Sequence, residues 1–312
     1  MSFPAAAGFR DIGATTMRYI PAIYSPKLLM KFYDATVLAA ISNTDYEGEI
    51  KEQGDTVYIR TTPDITVRNY NKGQTLVYEA PVSTPVTLTV DKGRYWAFVT
   101  NKVDDKQTDI KKYTDKWTSD AAEQLKINID TTILADVYSD VHASNAGATA
   151  GVKSAGFNLG VDGGASVTIT KANVLEYITD CGTVLDEQSV PESGRSMVIP
   201  PWFAGLIKKS DLKDASLAGD GTSIMRNGRL GMVDRFMLYG SNLTATTNDN
   251  VAAACNHVLF GTDAALTFAS QLTENENLKN PFGFGTLFRG LQVFGYKVVQ
   301  SKALGDLYCK KG

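Results

Sequence analysis

The stretch from Thr108 to Ala146 constrains this chain more than any other. Nothing between Asp109 and Val141 is glycine or proline, the residues that most often end a helix. Asp104, Asp105 or Thr108 can cap its start, because a short side-chain oxygen accepts a bond from a free first-turn N–H. Asn145-Ala146-Gly147 can end it, with Gly147 free to take a positive φ. The pattern predicts one helix roughly 50 Å long. Ile110, Tyr113, Trp117 and Ala121 step along one face. From Leu125 two apolar rows run together: Leu125, Ile129, Ile133, Val137 and Ile127, Leu134, Tyr138, Val141. The first half is therefore expected on a surface and the second half enclosed. A coiled coil fits poorly, since a heptad frame from Ile110 puts Asp120, Gln124 and Thr131 in the seam. A spine packed against sheets of its own subunit fits better.

The segments on either side differ in kind. Residues 1–46 are interrupted by Pro4, Pro21 and Pro26, and helical spacing appears only from Lys27 to Ile41. They read as an extended arm followed by a short amphipathic helix. In residues 47–103, Val57/Ile59, Ile65/Val67, Val86/Leu88/Val90 and Trp96/Phe98 alternate with polar neighbours, the period-two mark of strands. Asn71-Lys72-Gly73 and Asp91-Lys92-Gly93 are turn signals. Together they predict a long antiparallel excursion that returns just before the spine. Between Arg68 and Tyr78 it is too polar to hold itself together, so a neighbour is expected to cover it.

After the spine, residues 147–166 read as a small-residue flap. Thr170 is the expected cap of a helix from Lys171 to about Gln188. Val190-Pro191-Glu192-Ser193-Gly194 reads as a turn, Ser196–Ile199 as a buried strand stopped by Pro200-Pro201, and Trp202–Lys209 as a brief helix. Ala218-Gly219-Asp220-Gly221 reads as a mobile loop, and Gly231–Tyr239 as one strand. Val258–Phe260 and Leu266–Phe268 are expected as short strands, Glu274–Phe284 as a polar loop, and Leu287–Gln300 as a long strand with Gly290 and Gly295 at bulges or close contacts. The fold class is α+β.

At 312 residues the chain can bury a large core. Its net charge of -3 carries no global nucleic-acid footprint, and no apolar run approaches a membrane span. Cys181, Cys255 and Cys309 form no CxxC pair, so no structural metal or disulfide framework is expected, and reduced thiols point to synthesis in the cytoplasm. Chemistry finds little footing. There are two histidines, and His142 follows the spine rows as a packing or helix-end residue. Cys255-Asn256-His257 would put a thiol and a base on one face of a strand, the basis for a reading as a stand-alone α+β enzyme, but no orienting acid or oxyanion loop accompanies them. No catalytic residue, cofactor or metal ligand is assigned. Arg289, Lys297, Lys302, Lys310 and Lys311 gather near the C-terminus, where Asp306 is the only acid; they are strand and tail charges that could also soften repulsion from DNA.

The order of these parts resembles that of tailed-bacteriophage major capsid proteins: N-terminal arm, extended loop, spine helix, peripheral domain and axial domain. Three stretches carry the resemblance most specifically: Val190–Pro201 (VPESGRSMVIPP), Asn227–Asn242 (NGRLGMVDRFMLYGSN), and Phe288–Val299 (FRGLQVFGYKVV) followed by Lys302-Ala303-Leu304. The resemblance implies an arm at 1–46, an extended loop at 47–103, a spine at 104–149, an axial domain at 150–255 and remaining axial and peripheral strands at 256–312. It implies a non-enzymatic coat protein that forms hexamers and pentamers of an icosahedral shell around non-specifically packaged double-stranded DNA. Assembly in the host bacterial cytoplasm and residence in the virion follow, with no membrane partner. Many relatives carry a long N-terminal scaffolding segment that is later cut off. Only about 46 residues precede the strands here, and Met1-Ser2 favours a separate scaffolding protein, with a portal as further partner. Asn71, Lys72 and Gly73 at the loop tip and Gly219, Asp220 and Gly221 at the capsomer axis are the expected subunit contacts. Some relatives cross-link a loop lysine to a neighbour's asparagine; Lys72 is the position for the donor, but no acceptor can be matched. The same fold also builds encapsulin compartments, the alternative shell.

Overall fold

The computed structural model describes residues 33–34, 36–45, 56–63, 65–103, 114–210 and 231–312, without the side chains of 271–273. Most of the expected arm, the cap candidates Asp104, Asp105 and Thr108, and the loop at 218–221 lie outside the described residues. In chain order the elements are α1 (Leu38–Ile41), β1 (Thr56–Ile59), β2 (Val86–Thr89), β3 (Lys92–Asn101) and the spine α2 (Thr114–Val137). Then come β4 (Val167–Ile169), α3 (Val174–Glu187), β5 (Arg195–Ile199), α4 (Pro201–Lys209), β6 (Met232–Val233) and β7 (Phe236–Gly240). The chain closes with β8 (Thr246–Asn248), β9 (Ala254–Thr262), β10 (Leu266–Lys279), β11 (Gly285–Val298) and β12 (Leu304–Lys311).

A seven-stranded sheet in the order β4-β12-β9-β5-β7-β6, with β8 beside β9, has both faces covered. Strand alternation sorts its side chains. Met197, Ile199, Val258, Phe260, Leu307 and Cys309 meet α3 and α4 through Ile178, Val184, Phe203 and Ile207. On the other face Val198, Leu259 and Leu304 share a core with Ile129, Ile133, Leu134 and Val137 of the spine and with α1. Both-face burial is why β5 is buried at all five residues. This sheet takes strands from both 150–255 and 256–312, and β9 itself crosses 255/256.

The spine divides as its sequence predicts. None of Thr114–Asn128 is fully buried, whereas Ile129, Ile133, Leu134 and Val137 are. Its expected C-terminal end differs: the α-helix stops at Val137 and the chain continues through two short 3-10 turns, Tyr138–Asp140 and Ala143–Asn145. Ser139 donates its hydroxyl to the Asp136 carbonyl at 2.8 Å, the local competition that makes serine a poor helix-interior residue. Asp130 was not anticipated. It is buried among the apolar rows, where its Oδ2 accepts from Val37 N at 2.7 Å and Leu38 N at 3.2 Å, fastening α1 to the spine. Burial pushes its carboxyl up, against these two N–H donors. Ile133→Ala is expected to cost about 2–5 kcal/mol through the cavity it leaves. Asp115→Ala, on the exposed first turn, should cost under about 1 kcal/mol. Urea denaturation of both variants checks the facing of the helix.

Three other expectations are corrected. Asn173, not Thr170, stands before α3, and the helix starts at Val174; Thr170 N and Oγ1 both donate to Asn173 Oδ1, at 2.7 and 3.1 Å, closing a turn ahead of the helix rather than capping it. Gly231–Tyr239 is not one strand but a tight hairpin, β6 to β7, turned at Asp234 with φ 52°. The polar run after Glu274 is strand as far as Lys279, since β10 pairs with β11 over its length, and Glu276 faces its register partner Arg289 as an ion pair. The irregularity in this pair lies at Ser270/Leu272, while Gly290 and Gly295 are close approaches. A Cβ on Gly295 would strike the backbone of Thr89 and Val90, where the end of β2 crosses β11.

Asp249 ties three segments together. Its Oδ1 accepts from Val251 N and Ala253 N at 3.0 and 2.8 Å, and its Oδ2 from Ser166 Oγ at 2.9 Å and Lys310 Nζ at 2.8 Å. The Lys310 ammonium chiefly, against desolvation, holds this carboxyl well below its usual range. A depressed folded value means stability present above the unfolded carboxylate pKa of about 3.9 and lost as pH falls below it. Asp249→Asn is expected to lower the melting temperature at neutral pH and to flatten its fall below about pH 4. An unchanged acid limb in a pH series of thermal melts would count against this clamp.

Candidate assembly surface

The second sheet, β10-β11-β3, is antiparallel and lies beside the spine. Trp96 stacks on Phe98, and Phe98 stacks on Phe288 and meets Trp117 edge-on, with ring centroids 5.7, 5.0 and 6.0 Å apart. Tyr296 and Lys297 reach Asp136 and Asp140 at 2.7 Å each, and Arg94 Nε reaches Asn128 at 2.8 Å. One face of this sheet is thereby fixed to the spine. The other presents Tyr95, Val99 and Leu291 to solvent.

Two projections leave this frame. The first is the excursion between β1 and β2, which pair in register from Thr56↔Thr89 to Ile59↔Val86. Beyond Ile59 no strand ladder continues, so Ile65/Val67 is not a strand as expected. What remains are isolated bonds, such as Thr61 Oγ1 to Thr84 O at 2.8 Å and Thr66 N to Glu79 Oε1 at 2.7 Å. Asn71 and Gln74 close the tip, Gln74 N donating to Asn71 O at 3.0 Å, with exposed Lys72 between them and Gly73 at φ 87°. Here the structure brings Asn71, Lys72 and Gly73 together in one turn. Gly219, Asp220 and Gly221 lie outside the described residues. The excursion carries Ile65, Tyr70, Leu76 and Val77 exposed, with Val67 at 95% and Tyr78 at 87% of full exposure.

The second projection is the β10–β11 hairpin tip, where Phe282 is 97% and Phe284 84% exposed. The sequence reading missed it, although two phenylalanines around a glycine in a polar run, Phe282-Gly283-Phe284, are a visible signal. Apolar projections of this size mark surfaces that another molecule covers.

The thiol and base pair has a different setting. Cys255 is buried with its Sγ on Ala253 O at 3.3 Å. His257 is buried too, with Nδ1 2.7 Å from Asp306 Oδ2 and Nε2 3.0 Å from Thr247 Oγ1, under the Tyr138 ring at 3.8 Å. An acid does orient this histidine, contrary to expectation, but both ring nitrogens are engaged and neither residue opens to a substrate. Among the basic residues near the C-terminus, Arg289 pairs with Glu276, Lys297 with Asp140 and Lys310 with Asp249, which reduces the field the cluster could offer to DNA. No group of three or more histidine, cysteine or acidic residues able to hold a metal occurs among the described residues. Nor is any helix among them long and apolar enough to cross a membrane.

No family profile and no curated protein matches the chain in sequence. Solved structures do match in fold. A structure from Mycobacterium phage Che8 aligns with 22% identity and a TM-score of 0.73 over 93% of this chain and 97% of that one. The capsid structure of the cyanophage P-SCSP1u aligns with 14% identity and a TM-score of 0.70 over 94% of each chain. The mature capsid of bacteriophage PhiM1 aligns with 16% identity and a TM-score of 0.67 over 99% of each. The chain has the fold of these phage structures, the last two of which are capsids.

Proposed function

We propose that this chain is a tailed-bacteriophage major capsid protein whose copies form the hexamers and pentamers of an icosahedral shell around double-stranded DNA. The likeness of fold to phage capsid structures along nearly the whole chain carries the reading. The exposed apolar excursion and the Phe282/Phe284 tip support it, since both ask for cover from another copy. The protein's work is burial between copies rather than turnover. In this reading 1–46 is the arm, 47–103 the extended loop, 104–149 the spine, 150–255 the axial domain and 256–312 the remaining strands. The Asn71-Lys72-Gly73 turn lies on an adjacent subunit, and Gly219-Asp220-Gly221 meets its own copies around the capsomer axis. A separate scaffolding protein, a portal, sequence-independent DNA packaging, assembly in the bacterial cytoplasm and residence in the virion belong to the same proposal.

Negative-stain imaging and sizing of the expressed protein, alone and with a co-expressed scaffolding protein, test it. Rings or closed shells are the expected result. A chain that stays monomeric under every condition overturns the proposal, and closed shells carrying a bound cargo peptide in place of nucleic acid would move it to a protein compartment.

A further inference from the structure

His257 has more partners than a packing residue needs. Its ring lies between Tyr138, which follows the spine, and Tyr308 of β12, with centroids at 3.8 and 4.9 Å. Nδ1 is 2.7 Å from Asp306 Oδ2, and Nε2 is 3.0 Å from Thr247 Oγ1. The Thr247 hydroxyl donates to Asp162 Oδ1 at 2.9 Å. Asp162 is an exposed residue of the 147–166 loop, and its carboxylate lies 3.5 Å from His257 Nε2. Cys255 shares the ring's face of β9 and is buried beside it. Among the described residues these are the titratable groups facing the ring: Tyr138, Asp162, Cys255, Asp306 and Tyr308.

A hydroxyl has one proton, and a carboxylate can only accept. With Thr247 donating to Asp162, its oxygen must accept from His257, so Nε2 carries a proton. The short Nδ1–Asp306 contact needs a second proton, held on either partner. The His257–Asp306 pair therefore holds two protons when the loop is tied. Burial pushes the Asp306 carboxyl up, which His257 opposes, so the two placements of that proton compete.

We propose that His257, Thr247 and Asp162 form a proton-linked latch, in which the protonated His257–Asp306 pair turns the Thr247 hydroxyl toward Asp162 and holds the exposed turn at 161–164, whose flanks are fixed separately by Tyr308 N to Leu159 O at 2.8 Å and Asn250 N to Gly164 O at 3.0 Å. When the pair loses one proton, Nε2 becomes an acceptor. The Thr247 hydroxyl then rotates to donate to it and releases Asp162. The latch is closed at low pH and opens as pH rises. It works within one subunit and does not depend on the assembly reading.

With two histidines in the chain, the ring resonances are separable by His142→Gln. Long-range nitrogen–proton NMR of histidine-labelled subunits, recorded at about pH 5 and about pH 8, is expected to show a proton on Nε2 of His257 wherever the turn is latched and none where it is released. Hydrogen exchange in 161–164, referred to intrinsic rates, should become about tenfold faster across the same range. Thr247→Val keeps the shape and removes the rotor, so its loop should be unlatched and equally fast at both pH values. A His257 Nε2 that is bare throughout, or a Thr247→Val loop with the wild-type pH response, overturns the proposal. Asp162→Ala removes the acceptor at the exposed end and should unlatch the turn in the same way, without touching the buried pair.

Discussion

Arg195→Ala is expected to destabilise the subunit by about 3–5 kcal/mol, a large share of a typical domain's total stability of about 5–15 kcal/mol. The Arg195 side chain is wholly buried at the join between α3 and β5. Nε donates to Pro191 O at 2.9 Å, and Nη1 to Gly182 O at 3.2 Å. Nη2 donates to Val190 O at 2.6 Å and Asp186 Oδ1 at 2.7 Å. One guanidinium thus satisfies the carbonyls of a turn that has no ladder of its own. Burial raises the Asp186 carboxyl, but hydrogen bonds and charge from Arg195 and Arg235 outweigh it and hold the group below its usual range. Alanine would leave the Val190 and Pro191 carbonyls and one Asp186 oxygen without this donor, and would strip a second bond from the Gly182 carbonyl inside α3. Lysine should rescue little, because one ammonium cannot span four acceptors set in a fork. Arg235→Ala removes the outer partner at 2.6 Å, which is partly exposed, and should cost about 1 kcal/mol or less. Urea midpoints of the three variants decide it; an Arg195→Ala loss no greater than that of Arg235→Ala would show that the join holds itself.

What the sequence made legible follows from how local each signal is. The two halves of the spine could be told apart because burial there repeats with the helix's own period. The stop at Val137 could not, since it coincides with Tyr138 turning its ring onto His257, more than a hundred residues away in sequence. The same limit hid β10: Glu274 to Lys279 has no apolar alternation and is strand only because β11 pairs with it. In contrast, the strand stop at Pro200-Pro201 and the turn at Asn71-Lys72-Gly73 were readable, since proline fixes its own φ and glycine takes a positive φ without strain, although Pro201 also opens α4, which was expected to begin at Trp202. At the candidate surface the Asn71-Lys72-Gly73 turn was legible for that reason. The exposure of Phe282 and Phe284 was signalled only by their setting around a glycine in a polar run, because apolar character alone predicts burial. His257 and Asp306 come together across paired antiparallel strands, a register no single stretch encodes.

Amide exchange from Arg68 to Glu79 is expected to be fast in unassembled subunits and strongly slowed in assembled shells. In the single chain this segment has few backbone bonds. The Asn71–Gln74 turn closes at 3.0 Å, and Thr66 N relies on a glutamate side chain. The ion pair Arg68–Glu79 at 3.6 Å is solvent-exposed and contributes little. A two-stranded ribbon of this kind is marginal in water, so its amides open freely. Yet Val67, Tyr70, Val77, Tyr78 and Val82 stand exposed along it. Fully burying one such side chain against a neighbour contributes roughly 1.5–3 kcal/mol, and a handful together can outweigh the entropy of fixing the loop. The same residues should therefore govern assembly and leave the subunit's own stability alone. Tyr78→Ser combined with Val82→Ser is expected to cut shell yield severely while shifting the subunit melting temperature by no more than an exposed substitution does, within about 0.5 kcal/mol of stability. Equal protection of Arg68–Glu79 in free and assembled protein would mean that the loop is held from within. A large loss of subunit stability in the double variant would mean the same, and either result would remove the reason for a neighbouring copy to cover it.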